Sequence, residues 1–345
     1  MKKYLTVGLF FCAILFAFRP QHNTPLPKET LSEYGFFEGK LADQKPAEGV
    51  VPYQLNTPLF SDYAEKLRFV KLPQGQSVTY NPDKVLEFPV GTAIIKTFYY
   101  PHDFRRPEVG RQLIETRLLL HEPDGWKALE YVWNDDQTEA YLEVAGDTKN
   151  VSWIHTDGKK RNLAYTIPNL NQCKGCHNRD EKMTPIGPSA RQLNGAMTFG
   201  EHTENQLIYW KNKGILTGLP ALEEVPKAAV WNDPNTGTVA QRARTWLDIN
   251  CAHCHNDHGP AKTSGLDLSY HETNPTRIGI HKPPVAAGRG AGGRLYSIVP
   301  GQPDKSILVY RLDSTDPGEM MPELGRKTTH TEGVALVREW IKQLK

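Results

Sequence analysis

The sequence predicts a multidomain α+β protein, in which an all-β N-terminal domain, a sandwich or a barrel, precedes two mainly α-helical regions. Three observations predict this organisation. The chain has 345 residues, which is enough for two or three domains of ordinary size. Short runs of β-branched and aromatic residues fill its first half, whereas amphipathic helical patterns occur only in the second half. Two Cys-x-x-Cys-His motifs, at residues 173–177 and 251–255, each mark one of the later regions.

Composition and charge exclude several classes of protein. The chain has 41 basic and 39 acidic residues and a formal net charge of +2, without a basic stripe or an acidic tail. We therefore expect no nucleic-acid partner. The 28 glycines and 26 prolines predict a chain rich in turns and ordered loops rather than in long helices.

The N-terminus has the pattern of a signal peptide. Two lysines follow Met1, and residues 4–18 contain no charged side chain. Because this run is shorter than the roughly 20 residues that span a bilayer, we predict a signal peptide over residues 1–20 and a periplasmic location. An uncleaved membrane anchor is the alternative, since Ala17 makes a poor cleavage site. Cys12 lies inside the apolar run and is interpreted as part of it.

Both motifs have the sequence of a c-type haem attachment site. They read Cys173-Lys174-Gly175-Cys176-His177 and Cys251-Ala252-His253-Cys254-His255. Two residues between the cysteines let both sulfurs reach the vinyl groups along one porphyrin edge, and the following His binds the iron as the proximal ligand. The sequence therefore predicts two covalently attached haems, bound through the four cysteines and with iron ligated by His177 and His255. The two helical regions are accordingly predicted to be cytochrome c-type haem regions.

Other uses of these cysteines agree less well with the spacing. Four cysteines in an exported protein would ordinarily suggest two disulfides. A zinc site would require the 74 residues between Cys176 and Cys251 to loop back, and zinc does not require a His after both pairs. Redox-active pairs usually begin a helix in a βαβ unit, a setting that neither pair has.

The chain is divided by these motifs and by its strand patterns. A turn divides residues 113–133 into two apolar runs, and another turn divides residues 151–167 in the same way, which predicts two hairpins among seven or more strands. Pro168 and two asparagines predict a turn before the first motif, and residues 204–213 predict a short helix. The predicted parts are the signal peptide (1–20), a β-rich domain (21–165), a first haem c region (166–235) and a second haem c domain (236–345).

The second haem domain, of about 110 residues, resembles class I cytochrome c. A predicted helix at 239–249 leads directly into its cysteines, and another at 332–344 closes the chain, as in that fold. Met321 precedes a proline in the loop before the last helix, where such domains supply a thioether to the iron. The resemblance implies Met321 as the distal iron ligand, with Met320 as the alternative.

The first haem region has no clear distal ligand. An iron without one would bind peroxide or a small ligand, whereas a six-coordinate haem mainly passes electrons. A Gly-rich loop at 287–294 lacks the Lys-Ser/Thr that ends a phosphate-binding loop. Its arginines, Arg289 and Arg294, could pair with haem propionates. The possible distal ligands are Met183, Met197, His102, His155 and His202.

Beyond the motifs, the chain resembles a family of exported bacterial dihaem c-type cytochromes that carry an added N-terminal domain. The resemblance covers nearly the whole mature chain and implies haem binding and electron transfer, without naming a substrate. The matching stretches are TPLFSDYAEKLRFVKLP, FPVGTAIIKTF, IETRLLL, YVWNDDQTEA, CKGCH, NQL, NCAHCH, GLDL, IVPGQPDKSILVYR and MMPELGR.

Electron transfer through two haems is the function that the sequence favours over catalysis. Its partners would be periplasmic or membrane redox proteins that act as electron donor and acceptor. The alternative is a dihaem redox enzyme of the peroxidase type, with the first haem as an open catalytic site. The β-rich first third and the short distance between the motifs depart from that class, and no catalytic residue is assigned.

Overall fold

The computed structural model of the chain describes residues 26–345. The predicted signal peptide at residues 1–20 and Cys12 lie outside the described residues. Within the described part, no helix has both the length and the apolar character needed to cross a membrane.

The N-terminal part is organised around one six-stranded antiparallel sheet. The strands of this part are β1 (Phe37–Glu38), β2 (Lys45–Pro46), β3 (Val50–Pro52), β4 (Glu65–Lys71), β5 (Val78–Thr79), β6 (Ala93–Pro101), β7 (Arg111–Glu122), β8 (Gly125–Trp133), β9 (Ala140–Leu142), β10 (Asp147–Ile154) and β11 (Lys160–Ile167). The order in the sheet is β3-β4-β6-β7-β8-β9, so strands that are close in the chain pair with one another. Such local antiparallel pairing needs only short connections between strands.

One face of the sheet is covered by the segment that precedes β3. Successive residues of a strand point to opposite faces, and Phe69, Ile95 and Leu118 lie opposite one another on neighbouring strands. They share a buried cluster with Leu31 and Phe36 of the preceding segment. The second face of the sheet is therefore free to pack against the rest of the chain.

The predicted sandwich or barrel is wrong for this part. Residues 26–345 form one six-stranded sheet and five two-stranded sheets. The hairpin β10–β11 packs beside the large sheet, where Trp153 and Tyr165 share a buried cluster with Phe98 and Tyr100 of β6. The second face of the large sheet carries charged side chains, whereas a second sheet would need an apolar face to pack on.

The prediction of two mainly helical haem regions is also wrong. Strand accounts for 27% and helix for 25% of the structure, and no α-helix within residues 166–235 exceeds seven residues. Prolines such as Pro185, Pro188 and Pro220 interrupt this region, since proline lacks the N–H of a helix and restricts the residue before it. Its elements are α1 (Leu170–Cys176), β12 (Asn178–Arg179), β13 (Lys182–Met183), α2 (Ala190–Leu193), β14 (Ala196–Phe199), β15 (His202–Asn205), α3 (Gln206–Asn212) and β16 (Leu216–Thr217).

Residues 236–345 contain longer helices, yet irregular loops make up most of this part. Its elements are α4 (Val239–Leu247), a π-helical turn (Asp248–Ala252), α5 (Pro275–Ile278), α6 (Ile307–Asp313) and α7 (Thr331–Gln343). Helices α4 and α7 lie where the sequence predicts helices, at 239–249 and 332–344. They pack together through apolar residues that include Trp246 and Val337. The many loops explain why this part is not mainly helical either.

Asp62 joins the β-rich part to the C-terminal loop, which is the segment between α6 and α7 (residues 314–330). Its buried carboxylate accepts hydrogen bonds from the backbone N–H groups of Lys327 and Thr328, at 2.8 to 2.9 Å, and from the Thr328 hydroxyl at 2.8 Å. The neighbouring Tyr63 donates a hydrogen bond to Glu332 at 2.9 Å. These bonds hold the C-terminal loop beside the second face of the sheet.

Candidate functional site

The first Cys-x-x-Cys-His motif lies on helix α1. The Asn169 side chain accepts a hydrogen bond from the backbone N–H of Gln172, and the Gln172 side chain accepts one from the N–H of Asn169. This capping box begins a helix where the sequence predicts a turn. Cys173 and Cys176 are three residues apart on the helix and therefore lie on one side of it. His177 follows at the end of the helix, with its N–H bonded to the Cys173 carbonyl.

The second motif continues α4 through the π-helical turn. Asn250 anchors the motif on two sides. Its side-chain amide donates a hydrogen bond to the Trp246 carbonyl at 2.8 Å, and its oxygen accepts one from the Phe60 N–H at 2.8 Å. The N–H of His255 bonds to the Cys251 carbonyl at 2.9 Å, which closes a turn around the cysteine pair.

The two motifs touch in space although they are 78 positions apart in the chain. The Cys254 thiol and the His253 side chain lie beside the Cys176 sulfur. The neighbouring thiol of Cys254 lowers the pKa of Cys176 because it stabilises the thiolate, and the same contact raises the pKa of Cys254. A second link joins Asp180 to His258, whose side chains lie 3.0 Å apart. The two segments therefore form one site.

The histidines that follow the cysteine pairs are both neutral. The Nδ1 atom of His177 donates a hydrogen bond to the Thr184 carbonyl at 2.8 Å, and burial lowers the pKa of His177 to about 3. The Nδ1 atom of His255 lies 3.0 Å from the Ser264 hydroxyl, and burial lowers the pKa of His255 to about 4. Since Nδ1 of His177 carries the proton, its Nε2 presents the lone pair with which imidazole binds iron.

A cavity of about 590 Å³ lies between the second face of the sheet and the C-terminal loop. Sites for small molecules and cofactors commonly have volumes of about 300–1,000 Å³. Cys173, Cys176 and His177 line this cavity. Its other walls combine apolar side chains, such as Ile94 and Leu119, with several charged ones. The cavity can therefore enclose a ligand that is largely apolar and carries charged groups.

A buried charge network, which no sequence motif indicates, lies beneath the first motif. Arg117 on β7 lies 2.6 Å from Glu115 and 3.4 Å from Glu130 on β8. The Tyr165 hydroxyl donates a hydrogen bond to Glu115 at 2.5 Å, and the Cys173 thiol donates one to Glu130 at 3.1 Å. Burial raises the pKa of Glu130 well above its ordinary value. Glu115 is therefore the charged partner of Arg117, and Glu130 ties the motif to the sheet.

The two methionines of the C-terminal loop, Met320 and Met321, both line the cavity. Arg326 holds this loop, because its buried guanidinium donates hydrogen bonds to the Met321 carbonyl at 2.9 and 3.1 Å. The same guanidinium donates to the carbonyls of Arg311 and Ser314, at 3.1 and 2.8 Å. One side chain thus connects the methionines to the end of α6. Iron ligation by Met321 stays a prediction.

Other residues that the sequence suggests for haem contacts lie elsewhere. Arg289 pairs with Asp316 at 2.5 Å, and Arg294 donates to the Asp304 carbonyl at 2.9 Å; both arginines lie outside the cavity. None of the five alternative distal ligands is among the described residues that line the cavity. These are Met183, Met197, His102, His155 and His202.

The donor set at the motifs consists of thiols and imidazoles. All four cysteines of residues 26–345 are free thiols. In the same part of the chain, no group of three or more His, Cys, Asp or Glu side chains is arranged to hold a metal ion. What the motifs offer instead is two separate pairs of sulfurs, each followed by one imidazole.

Comparisons with protein-family models, with curated proteins and with solved structures found no match to this chain. The proposed function therefore depends on the residues of the chain itself. Two features of the site carry most weight, namely the contact between the motifs and the cavity beside the first of them.

Proposed function

We propose that this chain is a dihaem c-type cytochrome that transfers electrons between redox partners. The observation that carries the proposal is the proximity of Cys176 to Cys254, because haems attached at these two motifs would lie side by side. Electron transfer slows steeply as the distance between cofactors grows, so a two-haem relay requires such an arrangement. The proposed attachment sites are Cys173 and Cys176 with His177, and Cys251 and Cys254 with His255.

The residues at both motifs fit this cofactor. Each pair of free cysteines can form two thioethers, and each neutral histidine can ligate iron through Nε2. Haem supplies one-electron redox chemistry at its iron. The protein contributes anchoring sulfurs, imidazoles oriented by Thr184 and Ser264, and a cavity beside the first motif that has room for a cofactor. The resemblance to exported dihaem cytochromes supports the same proposal.

The proposal includes export and redox partners outside the cytoplasm. Residues 1–20 support it, because a positive start precedes an uncharged run of signal-peptide length. We infer a periplasmic location and partners among periplasmic or membrane redox proteins. Cell fractionation tests this location, since recovery of the full chain only from the cytoplasm would contradict it.

Replacing both cysteines of one motif should remove one haem and leave the other. In a host that attaches haem c, we expect two haems per wild-type chain in a pyridine haemochrome assay. The variants Cys173→Ala/Cys176→Ala and Cys251→Ala/Cys254→Ala should each retain one, visible by haem stain on a denaturing gel. Cys12→Ala serves as the control, because it removes a cysteine outside both motifs. A wild-type chain without covalent haem would refute the proposal.

A dihaem redox enzyme is the second candidate, with the first haem as its open catalytic site. The observation that favours it is that none of the five alternative distal ligands lines the cavity beside His177, whose walls carry Met320, Met321, His253 and His330 instead. The absorption spectrum separates the two functions. A high-spin ferric component that responds to cyanide or peroxide would favour the enzyme. Two low-spin six-coordinate haems without peroxide turnover would favour the electron relay.

A further inference from the structure

Three cations lie side by side on the second face of the sheet. Arg68 on β4 is directly opposite Lys96 on β6, and Lys96 is directly opposite Arg117 on β7. Arg117 is in turn opposite Glu130 on β8. We call Arg68, Lys96 and Arg117 the cationic row. Like charges directly opposite each other on neighbouring strands destabilise a sheet, so the row needs compensation by negative charge.

Within the described residues, ion pairs reach only one end of the row. Arg117 is paired with Glu115, its charged partner, and lies 3.4 Å from Glu130. Arg68 is buried, and its guanidinium donates only to a backbone carbonyl, that of Lys66 at 3.3 Å. Lys96 has no hydrogen bond and no ion pair to any residue in the described part of the chain. A buried cation without an anionic partner is unfavourable.

A further cation lies next to the row and has no carboxylate partner either. The Lys66 ammonium donates to the carbonyls of Leu59 and Ala64, at 2.9 and 2.8 Å. Burial, together with Arg117 and Arg68, lowers the pKa of Lys96 to about 8, which leaves Lys96 mainly protonated at neutral pH. The face therefore carries an excess of positive charge.

The cationic row and the first motif line the same cavity. Its walls include all three cations of the row together with Cys173, Cys176 and His177. The cysteines and the proximal histidine of the second motif are not among its lining residues. Ile94 and Leu119 lie two residues from Lys96 and Arg117 on the same face, and they give the cavity an apolar surface beside the charges. This combination suits a flat apolar molecule that carries two carboxylates.

We propose that Arg68 and Lys96 bind the two propionate carboxylates of the haem attached to the first motif. This inference rests on the proposed function. Two carboxylates would offset the two cations that lack an anionic partner, and charge-assisted hydrogen bonds to them are stronger than neutral ones. A free dianion, such as phosphate, has the same charge chemistry and is separated from the propionates by the test below.

The test uses the purified protein with both haems attached. In Arg68→Met and Lys96→Met, we expect a shifted propionate bending band in the resonance Raman spectrum. We also expect a lower midpoint potential for one haem, because a lost positive charge favours ferric iron. Lys71→Met is the matched control: Lys71 lies on the same strand as Arg68 but on the opposite face, above the Phe36 ring. It should leave both the band and the potentials unchanged.

Three results keep this inference separate from the proposed function. A wild-type chain that carries two haems, with a propionate band that none of the row variants shifts, would overturn the inference alone. If the methionine variants fail to fold, Arg68→Lys and Lys96→Arg preserve the charge and should still shift the band, because the two side chains donate with different geometry. A potential that responds to added phosphate in the wild type, but not in Lys96→Met, would assign the row to a free dianion and overturn the inference.

Discussion

Replacing Arg117 by methionine should lower the free energy of unfolding by about 3–5 kcal/mol, the usual cost of removing one partner from a buried ion pair. The loss is large because Glu115 is fully buried and would keep only the hydroxyl of Tyr165 as a partner. Urea unfolding of wild type and variant, with the same haem content, measures the difference. A methionine retains most of the volume of the arginine stem, so the change reports mainly on the charge.

The control for this prediction is an exposed pair on the same part of the chain. Arg161 lies 2.7 Å from Asp157, four residues away, and both side chains are about two-fifths exposed. Arg161→Met should therefore lower the free energy of unfolding much less than Arg117→Met does. Equal losses in the two variants would show that burial does not set the strength of the Arg117 pair.

Replacing Met321 by alanine should remove the methionine–iron charge-transfer band and lower the midpoint potential of the haem that it ligates. The expectation follows from Met/His ligation, which raises the potential relative to ligation by two histidines. Arg326 bonds to the Met321 backbone rather than to its side chain, so the loop keeps its anchor in the variant. Visible spectroscopy and spectroelectrochemistry measure both effects.

Met320→Ala is the comparison that decides between the two methionines. Both side chains line the cavity, and they are adjacent in the chain. We expect Met320→Ala to keep the charge-transfer band. Loss of the band in Met320→Ala and its persistence in Met321→Ala would assign the ligand to Met320 instead. Persistence in both variants would exclude ligation by this loop.

Short-range patterns were the part of the structure that the sequence predicted well. Helices α4 and α7 follow from apolar residues at helical spacing. The pairing of β7 with β8 follows from two apolar runs separated by turn residues. The turn predicted before Cys173 is instead a capped helix, because Asn169 and Gln172 form a capping box with the backbone. A polar segment before a motif can therefore begin a helix.

Contacts between residues that are far apart in the sequence could not be predicted from such local patterns. The contact between Cys176 and Cys254 depends on packing that no local pattern encodes. The cationic row depends on strand register, which brings Arg68, Lys96 and Arg117 into line from three separate strands. The available signal was a basic residue among the apolar residues of each of the three strands. The helical content was overestimated because the prolines and loops around the motifs leave room only for short helices.

The bonds made by Asp62 have a consequence for the order of assembly. They connect residues 265 and 266 positions apart, so they form only after nearly the whole chain has been synthesised. Contacts of such sequence separation come late, because a long loop must close first. Until then the C-terminal loop does not cover the sheet. We therefore expect the cysteines of both motifs to stay accessible to the proposed haem attachment until the C-terminal loop closes over the sheet.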